Sequence, residues 1–173
     1  NHIISCETEH KAVLDTLDVL KKKGYEITLL GVNSEGHIDL DELQDNIRND
    51  TILIALMWAN NETGLIQNVE KIGQIAHENG VLFFSDATQA AGKINIDLKN
   101  TKVDALCLSA HKFYGPKGVG IIYLRRRSPR VKLITQITGG GHEKGIRSGT
   151  LNVPGIVGMG AAARYALEEI DER

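Results

Sequence analysis

The sequence predicts a three-layer α/β/α domain on a mainly parallel sheet, and three observations carry that prediction. Strand-length apolar runs recur at residues 51–57, 81–85, 103–108 and 119–124. Helical patterns separate the earlier runs, and glycines stand where those helices should stop. The run Thr51-Ile-Leu-Ile-Ala-Leu-Met57 has hardly any polar interruption, as expected of a strand covered on both faces. Strands alternating with helices then give the layered α/β class.

In chain order, a helical pattern starts at Thr8 and runs through Val13, Leu14, Leu17 and Leu20. Its last turn carries Lys21, Lys22 and Lys23, and Gly24 follows at the position that favours a left-handed cap. A strand occupies 25–30. Asp39 can cap a short second helix with Leu40, Leu43 and Ile47 on one face. After the 51–57 strand, residues 69–79 form a helix ended by Gly80, and the short strand 81–85 runs into Asp86. Two further strands, 103–108 and 119–124, continue the sheet. From Pro154, small residues precede Tyr165, Leu167 and Ile170, which predicts a long helix over 154–173. Gly139, Gly140, Gly141, Gly145 and Gly149 make 138–150 the loop suited to approach a ligand or partner. His142 lies in it, but Gly145-Ile146-Arg147 replaces the Gly-Lys-Ser/Thr of a nucleotide-phosphate loop.

Composition narrows the function classes. A chain of 173 residues with 42% hydrophobic content suits one domain or part of a larger one. Twenty basic against 22 acidic residues give a net charge of −2, and Arg125-Arg126-Arg127, at a predicted strand end, is the longest basic run outside 21–23. Direct nucleic-acid or lipid binding is therefore not expected. The apolar runs fall far below the roughly 20 residues of a membrane span. The opening Asn1-His2-Ile3-Ile4 suggests a piece of a longer protein. Cys6 and Cys107 fit neither a disulfide framework nor a metal site, so they read as reduced structural thiols in a cytoplasm or organellar matrix. His2, His37 and His77 read as surface residues.

Three strand ends deliver polar groups: Asn60-Asn61-Glu62, then Asp86-Ala-Thr-Gln89, then Ser109-Ala-His-Lys112. In an α/β domain such ends can line one crevice. A lysine that forms an imine, an acid for a pyridine nitrogen, and hydroxyl or imidazole groups for a phosphate are what pyridoxal 5′-phosphate (PLP) requires. By themselves these short motifs also fit ordinary strand-end polar residues.

Five segments together resemble the cysteine desulfurases, in order and spacing across the whole chain: Thr8-Glu-His-Lys11, Asn60-Asn-Glu-Thr-Gly64, Ser85-Asp-Ala-Thr-Gln-Ala-Ala-Gly92, Ser109-Ala-His-Lys-Phe-Tyr-Gly-Pro-Lys-Gly118 and Arg147-Ser-Gly-Thr150. The resemblance implies the class V aminotransferase group and the type I PLP fold, with this chain as the central part of its large domain. It implies that His10 stacks on the cofactor ring and moves protons, and that Asp86 pairs with the ring nitrogen. Gln89 would bond the phenolic oxygen, Asn61 would contact ring or substrate, and Ser109 and His111 would bind phosphate. Lys112 would form the Schiff base, and Thr150 would reach the phosphate of the other subunit of a homodimer. L-cysteine as substrate, and scaffold or other sulfur-acceptor proteins as partners, are implied in the same way; a metal is not. The family's nucleophilic cysteine and its carboxylate-binding arginine match no position here. Selenocysteine lyases and other class V enzymes share the Asp and His-Lys motifs, and a non-catalytic truncated domain is a third reading.

Overall fold

A computed structural model of the chain describes residues 1–170, so the last three residues of the helix expected over 154–173 lie outside the described residues. The strands are β1 (His2–Cys6), β2 (Glu26–Leu30), β3 (Thr51–Ala55), β4 (Leu82–Asp86), β5 (Ala105–Ser109) and β6 (Gly120–Leu124). They form one sheet in the order β2-β1-β3-β4-β5-β6, parallel throughout except for the antiparallel β5/β6 pair. The helices are α1 (Lys11–Lys22), α2 (Leu40–Asp45), α3 (Val69–Glu78) and α4 (Val153–Glu168).

Three of the helix starts follow from local caps. The Asp39 carboxylate accepts the Asp41 and Glu42 N–H groups, Asn68 accepts from Lys71, and Asn152 accepts from Gly155. The chain moves outward from β1 to β2 and then in the opposite direction through β3 and β4. Right-handed crossovers therefore set α1 on one face and α2 with α3 on the other. Contact between α2 and α3 agrees. Beneath them Ile4, Ile54 and Phe83 of three adjacent strands are fully buried with Leu43, Ile72 and Ala76. A smaller core joins Ala91, Ala110 and Phe113 to Met159 of α4.

Four expectations need correction. The sequence analysis assigned no strand to residues 2–6, yet β1 lies between β2 and β3 and is buried along its length. His2 is accordingly no surface residue: it is 1% exposed, and its ring nitrogens lie 2.8 Å from Thr51 Oγ1 and from Thr28 Oγ1. Hydroxyls on both neighbouring strands let an imidazole sit inside the sheet, and burial lowers its pKa, followed by the Arg48 charge. His77 is also engaged, with Nε2 3.0 Å from both oxygens of buried Asp104; His37 is half-buried. The first helix begins three residues after Thr8, because Glu9 turns inward and His10, with extended backbone, becomes the cap. Finally, β3 is not covered on both faces: Ile52 is 41% exposed. It is the extra residue where the register passes from His2↔Thr51 to Ile3↔Leu53, a bulge that turns it out of the pairing.

Candidate active site

The order β2-β1-β3-β4-β5 reverses direction at β1/β3, and crevices of α/β sheets form at the carboxyl ends beside such a reversal. The carboxyl ends of β1, β3, β4 and β5 are where the polar motifs emerge. β1 leads to Glu9 and His10, the extension of β3 to Asn60 and Asn61, β4 to Asp86 and Gln89, and β5 to Ser109, His111 and Lys112. Seven of the eight expected site residues thus gather along one sheet edge. Thr150 does not: it is exposed in the loop before α4 and makes no hydrogen bond to that edge among the described residues.

Asp86 ends β4 opposite Cys107 of β5. Its Oδ1 accepts the Thr88 N–H at 2.9 Å, and the Cys107 thiol lies near enough to feel its charge. Burial first, then the Asp86 charge, pushes the Cys107 thiol up to about 12. Among the described residues no lysine, arginine or histidine forms an ion pair with Asp86.

Lys112 sits on a single 3-10 turn, Ala110–Phe113, that follows β5 directly. Packing fixes this turn from both sides. Gly92 has φ +72°, and a Cβ there would stand 2.6 Å from the Phe113 Cβ and 3.1 Å from that of Ala166 on α4. A Cβ on Gly115 would meet Ala110 at 2.9 Å. Tyr114, in the left-handed region at φ 66°, ends the turn. Lys112 itself points to solvent, as does His111, while Ser109 is half-buried.

Lys93, which the sequence reading passed over, lies close enough to Lys112 to feel its charge. Burial first and Lys112 second lower its pKa. Its ammonium donates to Gln89 Oε1, which leaves the Gln89 amide N–H groups as the free, donating end. At the base of α1, His10 Nδ1 accepts the Ala12 N–H at 3.1 Å, so Nε2 is the ring nitrogen left for chemistry. Asn60 is spent internally: its Oδ1 accepts the Glu62 and Thr63 N–H groups, and its amide donates to the Thr8 carbonyl. Neighbouring Asn61 is exposed. Asn61, Gln89 and Lys93 line an open crevice of about 380 Å³.

Sequence reasoning missed Glu9, Cys107 and Lys93. For Glu9 the deciding partner, the Met57 N–H, lies beyond β3. For Cys107 and Lys93 the decisive neighbours, Asp86 and Gln89, appear only once β4 pairs with β5 and the turn after β4 closes.

These donors fit PLP. Asp86 is an acid without a basic partner, Gln89 is an amide with its donors outward, and Lys112 is a primary amine on a rigid turn. Among the described residues no His, Cys, Asp and Glu cluster is arranged to hold a metal, and no helix is long and apolar enough to cross a membrane.

The model of the aminotransferase class-V family matches residues 1–173, and the chain belongs to that family. Within it the similarity is to cysteine desulfurases. The chain is 54% identical over 171 residues to the cysteine desulfurase IscS of Neisseria meningitidis serogroup C, a match covering 99% of this chain and 42% of that protein. A solved NifS-like protein superposes with a TM-score of 0.94 at 45% identity, over 99% of this chain and 47% of the other. SspA in complex with cysteine gives 0.90 at 40% identity, over 95% and 47%. The resemblance read from the five motifs and the type I fold it implied are both borne out. The chain spans less than half the length of these relatives.

Proposed function

We propose that this chain is the central part of the large domain of a PLP-dependent cysteine desulfurase, and that it carries most of the cofactor site. The intact enzyme takes L-cysteine to L-alanine and leaves the sulfur on an enzyme cysteine as a persulfide. The observation that carries the reading is the meeting, at one sheet edge, of an acid without a basic partner, Asp86, with the lysine of a clamped turn, Lys112.

Bound there, PLP supplies an electrophilic aldehyde carbon and an electron-withdrawing ring. Asp86, its Oδ1 held by the Thr88 N–H, would keep a proton on the ring nitrogen. Gln89, oriented by Lys93, donates to the phenolic oxygen. His10, its Nδ1 anchored by the Ala12 N–H, would stack on the ring, Asn61 would contact ring or substrate, and Ser109 and His111 would bind phosphate. The Lys112 amine holds the cofactor, and Lys112 Nζ and His10 Nε2 are the groups able to move a proton beside the substrate. Thr150 and its glycine-rich loop belong to the contact with a second subunit. Sulfur acceptors or scaffold proteins for iron–sulfur assembly or thiolation are the protein partners. Two free thiols, Cys6 and Cys107, suit a bacterial cytoplasm or an organellar matrix.

Borohydride treatment of the PLP-loaded full-length protein, followed by peptide mapping, is expected to leave a pyridoxyl group on Lys112. A label on Lys93 or Lys117 instead would overturn the assignment. With full-length protein, L-cysteine is expected to yield alanine and an enzyme-bound persulfide; absence of alanine would sink the desulfurase reading while leaving the cofactor site standing.

A further inference from the structure

One buried acid has no part in these roles. Glu9, on the turn between β1 and α1, is 6% exposed; its Oε1 accepts the Met57 N–H at 2.6 Å, and its Oε2 is buried without a hydrogen-bond partner. Leaving a buried carboxyl oxygen unsatisfied is costly, so its place between strand ends calls for a compensating role. Beyond β3 the chain continues alongside β4. The Leu56 N–H donates to the Phe84 carbonyl at 3.1 Å and the Trp58 N–H to the Asp86 carbonyl at 2.9 Å. Met57, between them, points its N–H the other way, to Glu9. Segment 56–58 is therefore pinned by Glu9 on one side and by β4 on the other, and Asp86 is the last residue it holds.

We propose that Glu9 is a positioning residue for Asp86, acting through the Met57–Trp58 backbone. The titratable groups that face it are the Cys6 thiol from β1, Asp86 from β4 and the Cys107 thiol from β5, and among the described residues it has no basic partner. Burial pushes its carboxyl up to about 8, with the Met57 bond opposing and the Asp86 charge adding to the rise. A cation brought against Asp86 cancels part of the field that keeps the proton on Glu9. Binding of a ring-protonated pyridine there loosens that proton, and a fraction of it passes from the Glu9 carboxyl into the buffer.

This inference rests on the PLP reading, and the test separates the two. The cofactor-free full-length enzyme is titrated with PLP near neutral pH by calorimetry, in two buffers of different ionisation enthalpy, to count protons released. Glu9→Gln is expected to release fewer protons than the wild type, the difference being a fraction of one because burial continues to hold most of the proton on Glu9. Glu9→Ala is expected to bind PLP roughly tenfold more weakly, the size of one lost hydrogen bond to a charged network, and Glu9→Gln to recover most of that loss because it keeps an acceptor for Met57. Equal proton release by wild type and Glu9→Gln overturns the inference even if Glu9→Ala does not fold. A wild type that takes up no PLP overturns the cofactor reading and the inference together.

Discussion

Asp104 shows how a single buried charge can be satisfied at the edge of the sheet opposite the site. It is 1% exposed, accepts the Phe83 N–H at 2.9 Å, and faces His77 Nε2 at 3.0 Å and Arg125 Nε at 3.4 Å. Arg125 also donates to the Thr101 and Val103 carbonyls, so the first arginine of the basic run is turned inward and spent on structure. Replacing Asp104 by Ala leaves these groups unpaired and is expected to cost about 3 kcal/mol in urea unfolding, with borohydride labelling of Lys112 retained. Glu9 gives a residue-scale prediction of opposite character. Folded Glu9 keeps its proton up to about 8, whereas an unfolded glutamate loses it in the usual carboxylate range. Folding thus takes up a proton between those limits, and the stability this contributes, complete at lower pH, is lost as pH rises towards 8. Glu9→Gln lacks that dependence. Its urea midpoint relative to wild type should climb between about pH 5 and pH 8, and a difference that stays flat contradicts a neutral Glu9.

Elements were legible where local chemistry decides them. Asp39, Gly24 and Gly80 mark helix ends through caps and left-handed turns that need no distant partner. The motifs ending in Asp86 and Lys112 could be placed because an apolar strand has to stop where they begin. β1 could not be seen, since its histidine, serine and cysteine dilute the apolar signal. Their partners, Thr51 and Thr28 for His2 and the Ala55 carbonyl for Ser5, come from other strands. Glu9 misled for a related reason: an acid just ahead of a helix reads as a first-turn residue, and only the Met57 N–H shows otherwise. The clamp on the 3-10 turn supplies an element-scale prediction. Gly92→Ala meets both an unfavourable backbone conformation and the Phe113 side chain. It is expected to cost about 2–3 kcal/mol and to slow pyridoxyl labelling of Lys112, checked by urea unfolding and timed borohydride trapping. Labelling at the wild-type rate in a destabilised variant would show that the turn holds its lysine without Gly92.

At the scale of the molecule, apolar side chains gather outside the core along the loop before α4 and on α4 itself. Ile134 is 85% exposed, Val157 66% and Leu167 69%. Soluble surfaces seldom leave such residues clustered without covering them, and a symmetric second copy is the commonest cover. For the proposed homodimer, Val157→Asp in the full-length protein is expected to shift sedimentation from dimer to monomer; an unchanged profile would place the contact elsewhere. The position of β1 bears on time rather than shape. It is made before both of its partners, one of which, at Thr51, comes forty-nine residues further on. A growing chain must therefore carry an apolar strand with open edges until two crossovers have been synthesised and closed. During that interval the nascent protein is most open to chaperone capture and to aggregation, and slower translation across residues 26–55 would lengthen it.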